Sequence, residues 1–600
     1  MVSRATAWQR PCWPVSQGLA RWVVAGLIFA AVPPAFAQTA PAPQNTPALL
    51  NPTAQVNQVP QGSPIPRVLP PQPPKVAPGA LVPPPGGPAG AVPDVAIAVS
   101  RVVVEGVTVY APAALARITA GLTGPAVPLA AVERARVALL QRYRRDGYPL
   151  TAVSAVRDGA GVLHMRVTEG HIAEVKLDGD IGPAGVQVLR FLNRLTEPKA
   201  ITAAALERYL LLAQDVPGVS VRAILRPSTD QPGALTLVAQ VSRTAVSGLL
   251  TADNRGFRKS GPEESLAVAD FNSFTSYGER TEVSLYRSFN DTQIFGEASS
   301  EFYIGASGLK LRLYAGAGDS QPSGDLRAAG YDGATRVFGG QFTYPVIRAR
   351  QQTLNAFAIM DALESNIDNG TAPNVFRNSY DSLRIFRTGF DYALSDVWAG
   401  DARAAVSGLT FRLSQGARGL GAKTDQTRPG ERVDFFKASF DLSRTQTLFQ
   451  PTDSSSVALM GILAGQITPD LLPPAEKFYL GGNRITRGFY AGEVTGDNGL
   501  AATLELQFNT TMDLRAFGQT MTFAPQFYGF YDWGETWENQ RSDANHRLQS
   551  AGLGVRLNVT RFTEFDLEGV HRFTRYPTGN APGVSALPSE ALYWRVLVRY

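Results

Sequence analysis

Two short stretches near the C-terminal end carry opposite charges in settings that could bring them together. The first is Arg487-Gly488-Phe489, which closes the Gly-rich loop Gly481-Gly482-Asn483-Arg484-Ile485-Thr486. The second is Phe530-Tyr531-Asp532-Trp533-Gly534, within a run that alternates apolar and polar residues. A guanidinium and a carboxylate at hydrogen-bond distance make a charge-assisted pair. At 4 Å such a pair is worth about 4 kcal/mol at an effective dielectric of 20, and about 1 kcal/mol in water. That chemistry holds or releases a loop; it makes and breaks no covalent bond.

Whether the two charges meet depends on strand parity, because successive side chains of a strand point to opposite faces. Between Met521 and Gly534, Phe523, Phe527, Tyr531 and Trp533 share one face, and Gln526, Tyr528 and Asp532 the other. If this strand belongs to a closed membrane barrel, the aromatic face meets lipid and Asp532 faces a wet lumen. The expectation is then that Arg487 pairs with Asp532 and Phe489 packs on the wall. Gly488 lets the backbone turn, and Gly534, on the same face as Phe530, makes room.

Alternation recurs over the whole C-terminal part of the chain. Leu500, Ala502, Leu504, Leu506 and Phe508 interleave with Thr503, Glu505, Gln507 and Asn509; Leu553, Val555, Leu557 and Val559 interleave with Gly554, Arg556 and Asn558. Earlier, Leu309, Leu311 and Leu313 interleave with Lys310, Arg312 and Tyr314. The chain stops on Leu592, Trp594, Val596, Val598 and Tyr600, with Arg595 and Arg599 opposite. Soluble sheets also alternate. A secretory leader, a thiol-free mature chain and about 350 residues of alternation together favour a transmembrane antiparallel barrel of about 16 strands over residues 244–600. Open edges in lipid would leave backbone groups unsatisfied, so the sheet must close.

The leader is residues 1–37: Arg4, Arg10 and Arg21 precede the apolar run Trp22 to Val32, and Ala35-Phe36-Ala37 offers small residues for cleavage. Cleavage there removes Cys12, the single cysteine. Residues 38–97 are rich in Pro, Ala, Gly and Gln and read as an extended periplasmic linker. Two α+β units follow, at 98–170 and 171–243. Val102-Val103-Val104-Glu105-Gly106 opens one and Val175-Lys176-Leu177-Asp178-Gly179 opens the other. In the first, Val132, Ala135, Leu139, Leu140 and Tyr143 recur at helical spacing; in the second, Leu206, Tyr209, Leu210 and Ala213 do. The order reads β-α-α-β-β twice, and a three-stranded sheet leaves edges able to accept an extended peptide.

Catalysis has little to stand on. His164, His171, His546 and His571 show no metal-ligand spacing, no G-x-S-x-G elbow occurs, and Gly421-Ala422-Lys423-Thr424 lacks the Gly that a phosphate loop places before its Lys. No cofactor is expected. The formal charge of +5 is dispersed, so nucleic acid is not indicated as a partner. His571 falls among aromatics near a strand end, which suits an interfacial role.

These residues resemble the TpsB family of two-partner secretion transporters, in the superfamily that includes the barrel-assembly factor BamA. The resemblance rests on two consecutive POTRA modules, Asp146-Gly147-Tyr148 and Glu169-Gly170 around the end of the first, the barrel opening Asp253-Asn254-Arg255-Gly256, the Arg487 loop, and the Phe530 to Gly534 strand. Where family loops commonly have Val before the Arg, this chain has Thr486. The resemblance implies an outer-membrane pore, not an enzyme, that binds an unfolded TpsA-type exoprotein through periplasmic POTRA domains and exports it through the barrel. It implies a monomer in outer-membrane lipid whose biogenesis uses the barrel-assembly machinery and periplasmic chaperones. An insertase of the BamA type is the alternative. Some members carry a helix that plugs the barrel; no amphipathic helix is evident between Gln38 and Ile97.

Overall fold

The computed structural model describes residues 62–69, 75–77 and 94–600, apart from 198, 229–230, 372, 398–402, 426–427, 517–518 and 581–583. The leader, 1–37, and most of the linker, 38–97, lie outside the described residues.

The first α+β module centres on the strand Val162–Thr168, flanked in parallel by Arg101–Glu105 and antiparallel by Ala152–Arg157. Helix Leu129–Arg145 buries Val132, Ala135, Leu139 and Tyr143, one face of a 3.6-residue repeat, in the module's core. A further pairing, Ala96–Val99 with Gly124–Pro128, escapes strand propensity because its second member begins with Gly-Pro and ends on Pro. The second module repeats the plan with the order His171–Asp178, Ala234–Arg243, Val219–Pro227. Its helix Ala203–Gln214 is capped by the Thr202 hydroxyl, which accepts from the Ala205 N–H at 3.2 Å. The modules are tied together where Ala203 N–H donates to Gly147 O at 2.8 Å and Ile201 N–H to Gly170 O at 3.0 Å.

Sixteen long antiparallel strands, from Val246–Asp253 to Glu590–Arg599, form one closed barrel. Two short extra strands, Lys423–Thr424 and Met512–Ala516, fringe it. Closure comes from the last strand pairing with the first, Arg595 opposite Asp253 through Arg599 opposite Leu249. Tyr600 extends the seam by exchanging backbone hydrogen bonds with Gly248, 3.1 Å each way. Leu504, Leu506, Tyr531, Leu553 and Leu592 are exposed on the outer face, as the alternation requires of lipid-facing positions. The second module docks on the barrel's near rim. Gln187 Nε2 donates to Gly305 O at 2.9 Å, Arg208 Nη2 to Pro345 O at 2.8 Å, and the Ser273 hydroxyl to Pro217 O at 2.7 Å.

Among the described residues, two segments enter the lumen. One is the long connection between the strands Ser455–Ile467 and Asn498–Asn509, which folds back inside. The other is the linker. Ile65–Val68 forms a single helical turn whose Ile65 and Val68 pack on the wall residues Leu266, Val268, Tyr286 and Phe295. This part of the linker is therefore not an external tether. One turn with two apolar residues is too short to register as amphipathic periodicity.

Candidate functional site

The connection inside the lumen begins as a hairpin, Phe478–Leu480 against Val494–Gly496, with residues 481–493 at its tip. The turn at the tip falls on Thr486, at φ +50°. Its hydroxyl accepts from the Gly481 N–H at 2.7 Å and bonds Ile485 O at 2.8 Å, local contacts that hold a residue in the left-handed region. Gly488 has a different use from the one expected. It does not carry the turn; a Cβ there would strike the side chains of Ser550 and Val570. Gly534 likewise gives space, to Thr486 and Leu480. Both glycines let the loop backbone lie against the wall.

Arg487 then reaches the barrel. Its backbone N–H donates to Asp532 Oδ2 at 2.6 Å, its Nε to the same oxygen at 3.3 Å and its Nη2 to Oδ1 at 3.4 Å. Nη1 donates to Glu505 Oε2 at 2.5 Å and lies 3.8 Å from Glu568 Oε1. The guanidinium rests 3.8 Å from the centre of the Phe530 ring, a cation–π contact. Arg487 is 3% exposed and both Asp532 and Glu505 are 0% exposed, so this seat is buried rather than open to the lumen. Charges attract more strongly here than in water, and each is costly to leave alone.

The single pair anticipated from sequence is thus the centre of a network. Glu505 also receives Arg556, through Nη1 at 2.8 Å and Nη2 at 3.1 Å. Glu568 receives Arg255 Nη2 at 2.5 Å, and the single hydroxyl proton of Tyr528 is shared between Asp566, 2.6 Å away, and Glu568, 2.7 Å away. Phe489 is buried with Leu480, Val494, Ala501, Leu548 and Leu587. The Gly488 carbonyl accepts from Arg572 Nε at 2.5 Å and from the Tyr593 hydroxyl at 3.1 Å. On the opposite wall Glu476 of the loop is gripped by Arg387, at 2.7 and 3.0 Å, and by Lys437 at 2.8 Å. Arg484 at the tip pairs with Asp441 of the wall. Near the far mouth Arg428 bridges Asp497, at 2.9 and 3.0 Å, and Glu538 at 3.0 Å. The loop spans the lumen and is fastened on both sides.

Trp594, Val596 and Val598 alternate with the buried Tyr593 and Leu597, and Tyr600 continues the outer face. Their strand pairs into the seam. His571 is half exposed, 2.8 Å from Glu590 Oε1 and edge-on to Phe573 with centroids 5.0 Å apart. Glu505, Arg255, Glu568 and Arg572 were not singled out from sequence as partners of the loop. A signal existed: Glu505 is the one charged residue of the strand Asn498–Asn509, and parity puts it inside.

The arrangement can open or block a pore through hydrogen bonds and charge, with no group poised for bond making. Comparison with known proteins agrees with that chemistry. Residues 234–557 match the family described as haemolysin secretion/activation protein ShlB/FhaC/HecB, and residues 97–170 match the ShlB-type POTRA domain. The heme/hemopexin transporter protein HuxB of Haemophilus influenzae (strain 86-028NP) is 22% identical over 464 residues, 74% of this chain and 77% of that one. The outer membrane transporter CdiB of Escherichia coli O6:K15:H31 (strain 536 / UPEC) is 22% identical over 408 residues, 67% of each chain. Among solved structures, CdiB from Escherichia coli superposes with a TM-score of 0.67 at 20% identity, over 87% of this chain and 94% of the other.

Proposed function

The chain belongs to the haemolysin secretion/activation family ShlB/FhaC/HecB, and from that membership we propose that it captures one unfolded exoprotein in the periplasm and passes it through its own barrel to the cell surface. The family is one of outer-membrane transporters with periplasmic POTRA domains, not of enzymes. The names of the relatives, a heme/hemopexin transporter and an outer membrane transporter, favour export over the insertase reading.

The observation that carries the proposal is the seat of Arg487. A loop tied across the lumen by Arg487 to Asp532 and Glu505, and by Glu476 to Arg387, blocks a closed cylinder until something displaces it. Capture begins at the modules. Each three-stranded sheet has two outer strands, and in the second module Val219–Pro227 is the outer strand that comes later in the chain, closer to the barrel than His171–Asp178. An extended segment of cargo adds to such an edge by main-chain hydrogen bonds, which read backbone rather than sequence. The loop's charges exchange partners as the chain threads past, shifting a two-state equilibrium rather than consuming a nucleotide. Folding of the cargo outside prevents its return.

A photo-crosslinking residue placed along 219–227 in living cells tests the proposal. The expected trapped species is one large secreted chain. A mixture of outer-membrane barrel precursors would overturn the proposal in favour of the insertase.

A further inference from the structure

The linker and the second module meet at one guanidinium. Arg348 ends the barrel strand Asp332–Arg348 at the periplasmic rim, just past a register shift between Pro345 and Ile347. Its Nε and Nη2 donate to the two carboxylate oxygens of Asp215, at 2.6 and 3.0 Å, the forked geometry in which guanidinium fits carboxylate. Asp215 caps the C-terminus of the module helix Ala203–Gln214. The remaining nitrogen, Nη1, donates to the carbonyl oxygen of Lys75 in the linker at 3.3 Å.

Lys75 is held from other sides too. Its carbonyl accepts from the Thr353 hydroxyl at 3.4 Å, its ammonium lies 3.5 Å from Asp215, and the next residue but one, Ala77, donates its N–H to Arg350 O at 2.7 Å. The Arg350 N–H in turn donates to Glu207 of the module at 2.8 Å. Barrel rim, module and linker are therefore woven through two consecutive contact points. The side chains of Arg348 and Asp215 are 8% and 17% exposed, so loss of a partner strands donors away from water.

A few residues earlier the same linker is seated in the lumen through Ile65 and Val68, and Arg67 lies 5.6 Å from the Tyr479 ring of the loop hairpin. A cavity of about 580 Å³ lies beside the strap at the rim: Lys75, Leu212, Asp215 and Arg348 line it together with Asp441 of the wall and Arg484 of the loop tip.

We propose that Arg348 is a latch that couples docking of the second module to seating of the linker in the barrel. The inference deepens the export reading and rests on it for its purpose, but the coupling is a property of the resting protein. Because Lys75 and Asp215 share one guanidinium, seating the strap strengthens the docked module, and by linkage docking strengthens the seated strap by the same factor. Expelling residues 62–69 from the lumen then loosens the module at the rim, and lifting the module frees the lumen.

The test uses the full purified chain in lipid nanodiscs without cargo, so its outcome is independent of export. Val68→Cys in a Cys12→Ser background reports the lumen seat through its rate of labelling by a soluble maleimide. Spin labels at Arg222→Cys and Asp453→Cys, on the module and on a rim turn, report docking. Asp215→Asn keeps the side-chain shape and is expected to raise labelling at position 68 about tenfold, within the usual range of coupling between sites. Val68→Glu, which touches no module residue, is expected to broaden the distance distribution between 222 and 453. Arg348→Lys, which keeps the charge but not the fork, should behave like Asp215→Asn and serves if that variant folds poorly. Labelling at 68 that ignores both rim variants, or a distribution that stays narrow in Val68→Glu, overturns the latch.

Discussion

Arg572 donates a 2.5 Å hydrogen bond from Nε to the carbonyl oxygen of Gly488, so the loop is fastened to the wall by its backbone as well as by the charge of the next residue back. Two arginines of opposite origin, Arg487 from the loop and Arg572 from the wall, thus hold one peptide segment. Removing either leaves the other in place, which separates the electrostatic hold from the backbone hold.

Arg487→Ala strips the cation from the fully buried Asp532 and leaves Glu505 with Arg556 alone. Breaking a buried pair on one side costs about 3–5 kcal/mol. Secretion of the exoprotein is expected to be lost in Arg487→Ala and in Asp532→Ala, while the barrel still assembles. Cargo in the culture supernatant and the heat-modifiable band of the folded barrel read the two outcomes; normal export from both variants would end the role assigned to the pair.

Gly488→Ala places a methyl group against Ser550, whose Cβ would be 2.4 Å away. The loop cannot then lie flush, and single-channel conductance in planar bilayers is expected to rise. Ser550→Gly in the same chain removes the struck atom and should restore part of the block, a coupling that two unrelated defects would not show.

Deleting Tyr600 removes both of its 3.1 Å backbone bonds to Gly248 at the seam. At about 1 kcal/mol each, the loss is about 2 kcal/mol. The folded band should convert to the unfolded one at a lower temperature in the deleted chain, and an unchanged transition would show that the seam does not need its last residue.

In the first module His164 lies between Glu105, 2.6 Å from Nδ1, and Asp158, 3.2 Å from Nε2. Hydrogen bonds donated by the ring to these carboxylates, Glu105 first, raise the imidazole above its ordinary value. The same contact lowers Glu105, and Asp158 is lowered by the Val162 N–H and then by His164. The histidine's contribution is complete below its unfolded value of about 6.5 and is lost as pH rises through the raised one; the carboxylates' contribution is lost as pH falls below about 4. Hydrogen exchange along Val162–Thr168 should therefore quicken as pH rises above about 6.5, beyond the intrinsic rate, and His164→Gln should abolish that excess.

The barrel, its parity and the meeting of Arg487 with Asp532 were legible because period-two alternation is a local pattern repeated in strand after strand. Tyr528, Phe530, Asp532 and Gly534 all face inward by that count. Glu505 and Arg556 sat on the correct face without being joined to the loop, because register between strands brings them together and one strand's sequence does not contain it. Glu568 is farther still, on Thr563–Arg572, with another strand between it and Asp532. The role of Gly488 was misread since a glycine signals freedom of either backbone angle or space, and only the neighbour Ser550 decides between them. The lumen seat of Ile65 and Val68 was hidden by the prolines around it, which read as extended chain.

Glu505 answers to two cations, Arg487 from the loop and Arg556 from the wall, whereas among the described residues Asp532 has its ion pair with Arg487. Were the loop to leave its seat, Arg556 would remain to neutralise Glu505, and Asp532 would be the uncompensated anion of the vacated berth. An Arg487 that left its seat would therefore leave behind a solitary negative point, sized for one guanidinium, to which the same arginine can return.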